Sequence, residues 1–439
     1  MDSNISIDIV RPLLWTPTDR TRRMCHLLGE RSGEKHTEIA GPAPGGAQAY
    51  EARALYWSCY ANRWGSLKIQ CSLSSLGHSG VLRWLLHPAP ALEALDISTY
   101  WNHGQQRGLD VSLDIQMPRL REINLAGFYL PLTLPIFRGL ASLRLSRITY
   151  DDTFATDLLR VVTECPALEE LCLDDLRINA STSQDKSRKS LPPAIDLSHL
   201  RALSLLHVPV REIQYLLAHI STPPHSTLEI ALNHLQSEES LTHAFPSNLT
   251  HLSNLSSVID LEFSVIGDTD NRTCLLQGRN NAGICLLSIS VDGDKNTGPV
   301  QRIMASLGPS LSIMPLQTLI LRQYANRRWS ASAFCRTLDC FSSIRVLGFD
   351  GCHEKFLKAL AYSTGRPTCL SLESLVVSNC AISTGPLSHL VRSRLAHSNQ
   401  GMMACLKEVQ LFGSRYADTD TVAALSPYVK TSWNPESLV

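Results

Sequence analysis

Cys335, Cys340, Cys352 and His353 stand close enough along the chain to offer three thiolates and an imidazole to one zinc ion. Their spacing contains no CxxC pair, and a second pattern claims some of the same residues. Cys165 and Cys369 fall three residues before the start of a recurring apolar motif, at Leu168 and Leu372. Cys352 and Cys380 fall eight residues after its start, at Ile344 and Leu372. A small, easily buried thiol suits the bend after a strand or the end of a helix, so packing and metal ligation both stay open from the spacing.

Other chemistry is thinner. The chain has no G-x-S-x-G elbow and no H-E-x-x-H. Gly278-Arg279-Asn280-Asn281-Ala282-Gly283 lacks the Lys-Ser/Thr that completes a phosphate loop. The 15 histidines are scattered. The reading is of a non-enzyme with no cofactor.

The elements that position these residues share one motif, clearest at Leu168-Glu169-Glu170-Leu171-Cys172-Leu173, with apolar first, fourth and sixth residues. It returns at Leu92/Leu95/Ile97, Leu120/Ile123/Leu125, Leu140/Leu143/Leu145, Leu200/Leu203/Leu205, Val258/Leu261/Phe263 and Ile284/Leu287/Ile289. Further copies start at Leu316, Ile344, Leu372 and Leu406, and Leu228-Glu229-Ile230-Ala231-Leu232 is a degraded one. A period near 28 residues fits one strand and one helix per unit, each burying its apolar ridge on the next. The fold expected is an α/β solenoid, a horseshoe with a parallel concave sheet and helices on the convex side.

Residues 1–60 lack the repeat and read as an N-terminal capping segment. It holds an apolar anchor at Pro12-Leu13-Leu14-Trp15, a helix at 20–30, a Pro/Gly loop at 40–49 and a helix at 50–63. Residues 61–439 read as a solenoid of about 12 divergent repeats, opened by a capping strand at Trp64 to Ile69. Amphipathic helices are expected at 154–164 behind an Asp N-cap, and at 210–220, 299–307, 330–341, 354–362 and 386–397. Segments 100–108, 179–193, 237–257 and 267–283 read as surface insertions or loops.

Lys+Arg and Asp+Glu both number 40, so zero formal charge favours neither nucleic acid nor an anionic membrane as partner. No stretch approaches the roughly 18 apolar residues of a membrane helix. Met1-Asp2-Ser3-Asn4 begins no basic, apolar leader, which leads us to expect a cytoplasmic or nuclear protein whose 13 cysteines are thiols.

Side chains switch faces at each strand residue, so positions beside the ridge point to the concave surface. The candidates for partner binding there are Arg144, Arg147, Asp174, Asp175, Arg322, Tyr324, Asp350, Phe412 and Tyr416. Glu170, Arg201, His207, Gln323, Asn379, Gln410 and Arg415 are further exposed positions, and Arg322, Tyr324, Phe412 and Tyr416 are the expected aromatic or Arg anchors.

Cys165-Pro166-Ala167-Leu168-Glu169-Glu170-Leu171-Cys172-Leu173, Leu347-Gly348-Phe349-Asp350-Gly351-Cys352 and Leu375-Val376-Val377-Ser378-Asn379-Cys380 resemble cysteine-containing leucine-rich repeats. With Pro12-Leu13-Leu14-Trp15, Leu27 to Gly33 and Asn62 to Ile69, the chain is similar to fungal F-box proteins with divergent leucine-rich repeats. The F-box that precedes the Trp element in that family has no counterpart in the fourteen residues before Trp15. The resemblance implies a protein-interaction scaffold, the substrate-recognition part of an SCF-type ubiquitin ligase. It also implies a protein substrate, with the ligase adaptor and cullin as further partners if the N-terminal segment docks. A free-standing repeat binding protein and a paralogue without a ligase role are the alternatives.

Overall fold

A computed structural model describes residues 6–10, 37–38, 65–71, 88–99, 117–179, 194–233, 240–267, 272–293, 298–324, 330–361, 368–398, 404–413 and 419–434. The expected helices at 20–30 and 50–63, the Pro/Gly loop at 40–49 and the loop at 100–108 lie outside these. The chain is mixed α/β with a large, mostly parallel sheet content and separates into two compact units. No helix among the described residues is long and apolar enough to cross a membrane.

The first unit comprises Met1–Leu191 and Leu197–Leu200. Its strands are β1 (Ser6–Val10), β2 (Thr37–Glu38), β3 (Ser66–Cys71), β4 (Ala94–Thr99), β5 (Glu122–Ala126), β6 (Ser142–Ser146) and β7 (Thr149–Asp151). Helix α1 (Phe154–Thr163), β8 (Glu170–Asp174) and β9 (Arg177–Asn179) follow. Strands β3, β4, β5, β6 and β8 pair in parallel, each stepped one repeat along the chain. The strand at Ser66 is not the sheet's first, because β1 pairs antiparallel with it and β2 pairs with β1.

Burial follows the ridge: Leu67, Ile69, Leu95, Ile97, Ile123, Leu125, Leu143, Leu145, Leu171 and Leu173 are all enclosed. Helix α1 begins at the expected place, but Asp151 is not its N-cap. The cap is Thr153, and Asp151 Oδ1 accepts from its backbone N–H and hydroxyl at 3.3 and 2.8 Å.

The second unit comprises Pro192–Asp196 and Arg201–Val439. It contains β10 (Ile195–Asp196), β11 (Ala202–Leu206), α2 (Val210–His219), β12 (Ile220–Ser221), β13 (Thr227–Leu232), α3 (Leu241–Ala244), β14 (Asp260–Ile266), β15 (Arg272–Arg279), β16 (Cys285–Gly293) and α4 (Gly298–Leu311). Next come β17 (Thr318–Arg322), α5 (Ala331–Asp339), β18 (Val346–Asp350), α6 (Lys355–Leu360), β19 (Ser374–Ser378), α7 (Thr384–Ser398), β20 (Glu408–Phe412), α8 (Thr419–Leu425) and β21 (Lys430–Asn434).

Strands β17 to β21 pair in parallel and in sequence order. Before them the order breaks. Strand β13 pairs with β16, β14 pairs with β17, and β15 lies antiparallel between β14 and β16. The segment 267–283, expected as a loop, thus carries a strand, and Ile284, expected as a ridge residue, is 55% exposed while Leu286 is buried. Leu287 and Ile289 are buried where the spacing puts them and pair in parallel with Leu228 and Ile230, so only the first ridge position of this copy departs from the pattern.

Segment 237–257 is likewise no simple surface insertion. Leu241, Phe245, Leu249, Leu252 and Leu255 are buried, and the Asn254 side chain accepts from the Thr222 hydroxyl at 2.7 Å and donates to the Leu286 carbonyl at 3.3 Å. Helices α4 and α5 approach closely because Gly308 leaves room: a Cβ there would sit 2.7 Å from Cys340 Sγ.

Candidate functional site

At seven of the described strands the residue after the strand turns to positive φ, and its N–H bonds a carbonyl at the end of the neighbouring strand. Arg147 (φ 54°) donates to Asp174, His207 (φ 55°) to Ala231, Gln323 (φ 56°) to Asp350 and Asn379 (φ 53°) to Phe412. Gly127, Gly351 and Gly413 do the same. Asp175 shares the conformation at φ 47°. Arg147, Asp175, His207, Gln323 and Asn379 are therefore turn residues rather than strand-face residues, left-handed without being glycine.

The residue directly after this turn residue points inward at Tyr324, Cys352 and Cys380. Tyr324 lies eight residues after Leu316, as Cys352 lies eight after Ile344, and is fully buried against Phe263 and Phe356. This corrects the expectation of an exposed anchor at Tyr324. Tyr416 and Arg415 lie outside the described residues.

On the strand face of the first unit, Lys68, Asp96, Asn124, Arg144 and Cys172 form one row across β3 to β8. Its charges are paired: Lys68 with Asp96 at 3.4 Å, Asn124 donating to Asp96 at 3.1 Å, and exposed Arg144 donating to Glu170 at 2.7 Å. Asp174, at the end of β8, is half-buried.

On the second unit the face has an apolar floor and a polar border. Ile320, Gly348, Val376 and Gln410 form one row across β17 to β20, begun by Glu262 on β14. Arg322, Asp350, Ser378 and Phe412 form the next row. Arg322 bridges two carboxylates, with Nε 2.7 Å from Glu262 and one terminal nitrogen 3.1 Å from Asp350. Arg279 of β15 adds a contact to Glu262 at 3.9 Å. Asp350 accepts on its other oxygen from the Asn379 amide at 2.8 Å. Beside it the Ser378 hydroxyl is buried with no hydrogen-bond partner among the described residues. Phe412 is half-buried at the end of this row.

Arg322, Asp350 and Phe412 are thus brought together, while Arg144 and Asp174 belong to the first unit. Glu262 was findable, since it sits between the ridge residues Leu261 and Phe263. Arg279 was not, because its strand carries no ridge motif.

The candidate zinc ligands do not converge. The Cys352 thiol donates to the Leu321 carbonyl at 3.2 Å, Cys335 to Ala359 at 3.7 Å, and Cys340 is exposed with its thiol on Arg336. No group of three or more His, Cys, Asp or Glu side chains placed to hold a metal occurs among the described residues. The recurring cysteines instead tie repeats together. Cys165 donates to Phe137 at 3.0 Å and accepts from the Leu140 N–H at 3.3 Å. Burial pushes the Cys165 thiol up, and Cys274 and Cys369 to about 12.

What the face of the second unit can do chemically is hold a partner through apolar contact and charge-assisted hydrogen bonds. Compared with protein-family models and with curated proteins, the chain matches none.

Proposed function

We propose that this chain is a leucine-rich-repeat solenoid acting as a non-catalytic protein-interaction scaffold, similar in role to the substrate-recognition part of an SCF-type ubiquitin ligase. The observation that carries the reading is the strand face of the second unit. A shallow apolar row, Ile320, Gly348 and Val376, is bordered by Glu262, Arg322, Asp350 and Phe412. An apolar centre with a polar rim and an Arg and an aromatic at its edge is the anatomy of a protein interface. The regular one-repeat step of β3 to β8 and β17 to β21, with buried ridges, supports the solenoid.

The test is affinity capture from a cell lysate with the full chain as bait, read by mass spectrometry, beside the variants Arg322→Glu, Val376→Asp and Phe412→Ala. Arg160→Ala, on helix α1 of the first unit, is the control. A stoichiometric protein retained by the parent and the control but lost by the face variants supports the reading, and the ligase adaptor and cullin among the captured proteins support its ligase part. Equal capture by all variants, each melting cooperatively, would sink it.

A further inference from the structure

Cys352 and Cys380 occupy the same place in successive repeats, each two residues beyond a strand end, and those ends, Asp350 and Ser378, are paired in register. The two bends are bonded to each other. Gly351 N–H donates to the Ser378 carbonyl at 2.9 Å, and Cys352 N–H donates to Cys380 Sγ at 3.2 Å. The Cys352 thiol itself donates to the Leu321 carbonyl at 3.2 Å. Adjacent parallel strands run about 4.8 Å apart, within the Cα separation of about 4.4–6.8 Å that a disulfide accepts.

We propose that Cys352 and Cys380 form an oxidation site, a dithiol that hydrogen peroxide converts to a disulfide stapling two repeats together. The roles of the two sulfurs differ. Cys380 Sγ accepts the Cys352 N–H, a bond that favours its thiolate, whereas burial raises the pKa of Cys352. Cys380 is therefore the nucleophile and Cys352 the resolving thiol.

In the first step the Cys380 thiolate attacks one peroxide oxygen. The O–O bond breaks, a sulfenic acid forms, and the departing hydroxide takes up a proton as water. In the second step Cys352 sulfur attacks the Cys380 sulfur. An S–S bond forms and the sulfenic oxygen leaves as a second water with the Cys352 proton. Two thiols give up two electrons and the peroxide is reduced to two waters.

The pair is enclosed, with Cys380 at 0% and Cys352 at 5% exposure, so oxidation requires the bend to open transiently and only small oxidants qualify. Once formed, a sulfenic acid there meets the second thiol before further peroxide. Isolated Cys340 and Cys405 are exposed and have no such protection.

The test uses the purified full chain treated with hydrogen peroxide under native conditions, then alkylated in denaturant, digested and mapped by mass spectrometry. The expected result is a Cys352–Cys380 linked peptide, with a rise in melting temperature that reducing agent reverses. In Cys352→Ser the expected result is a dimedone adduct on Cys380, and in Cys380→Ser no adduct on Cys352. Full alkylation of both thiols while Cys340 and Cys405 are oxidised would overturn the proposal, as would a linked peptide formed only in denaturant. Should Cys352→Ser fail to melt cooperatively, Cys352→Ala provides the same adduct readout, and the parent's linked peptide stands without either variant.

Discussion

The Asn379 amide nitrogen donates to Asp350 Oδ1 at 2.8 Å from a backbone held at φ 53°. One residue thus closes the turn after β19 and fixes the carboxylate that faces Arg322. Asn379→Ala keeps the backbone strain and loses the bond. At this exposed site it is expected to cost about 1 kcal/mol in urea denaturation. Asn379→Gly loses the same bond but relieves the strain, and should cost less. An alanine variant as stable as the glycine variant would show that strain does not matter here.

The other left-handed positions allow a cleaner separation. Arg147→Gly at φ 54° should gain on the order of 0.5 kcal/mol, because relief of about 1 kcal/mol of strain exceeds the added freedom of the unfolded chain. Gly139→Ala meets no atom within 4 Å, so any loss there, expected near 1 kcal/mol, comes from its φ of 67° alone. Denaturant midpoints with unchanged slopes check both values.

Arg394 is 1% exposed, and its guanidinium donates to the carbonyls of Thr368 and Cys369. Arg394→Ala removes both donors and leaves a cavity, for an expected loss of about 3 kcal/mol or more. Lysine cannot reproduce the fork that reaches two carbonyls, so Arg394→Lys should recover only part of it. Recovery of full stability by lysine would refute the fork.

Alkaline pH should weaken the fold. Burial raises the thiols of Cys274 and Cys369 from 9.0 to about 12. Groups with raised pKa contribute stability that is intact below the unfolded value and lost as pH rises toward the folded one. Denaturation midpoints should therefore fall between about pH 9 and 12. Cys274→Val should flatten the decline in the second unit, and an unchanged slope would count against the burial argument.

Much of this was legible in the ridge. Leu203, Leu205, Leu375 and Leu319 are fully enclosed where the one-four-six spacing puts them, and helices α1, α2 and α5 start within a residue or two of their periodic signals. Tyr324 is legible as an inward residue too, because its eight-residue offset from Leu316 is that of Cys352 from Ile344. The strand β15 was not, because Arg272–Arg279 alternates without a ridge and pairs antiparallel. The turn conformation was hidden for another reason. Arg, Asp, His, Gln and Asn occupy positions where glycine would have announced a positive φ.

The reversed order of β14, β15 and β16 also bears on how the second unit reaches its native state. Elsewhere a new rung can add to the last after one repeat of chain. Here Leu228 must find Leu287 and Leu261 must find Leu319, each across roughly 60 residues, about twice the usual closure. Doubling the loop adds only about 0.6 kcal/mol of entropy. It does raise the local contact order at one point of an otherwise nearest-neighbour array. Growth from either end must pause there until the meander is built. Destabilising Leu276 or Ile289 should therefore slow refolding, whereas equal damage at Val409 should mainly hasten unfolding.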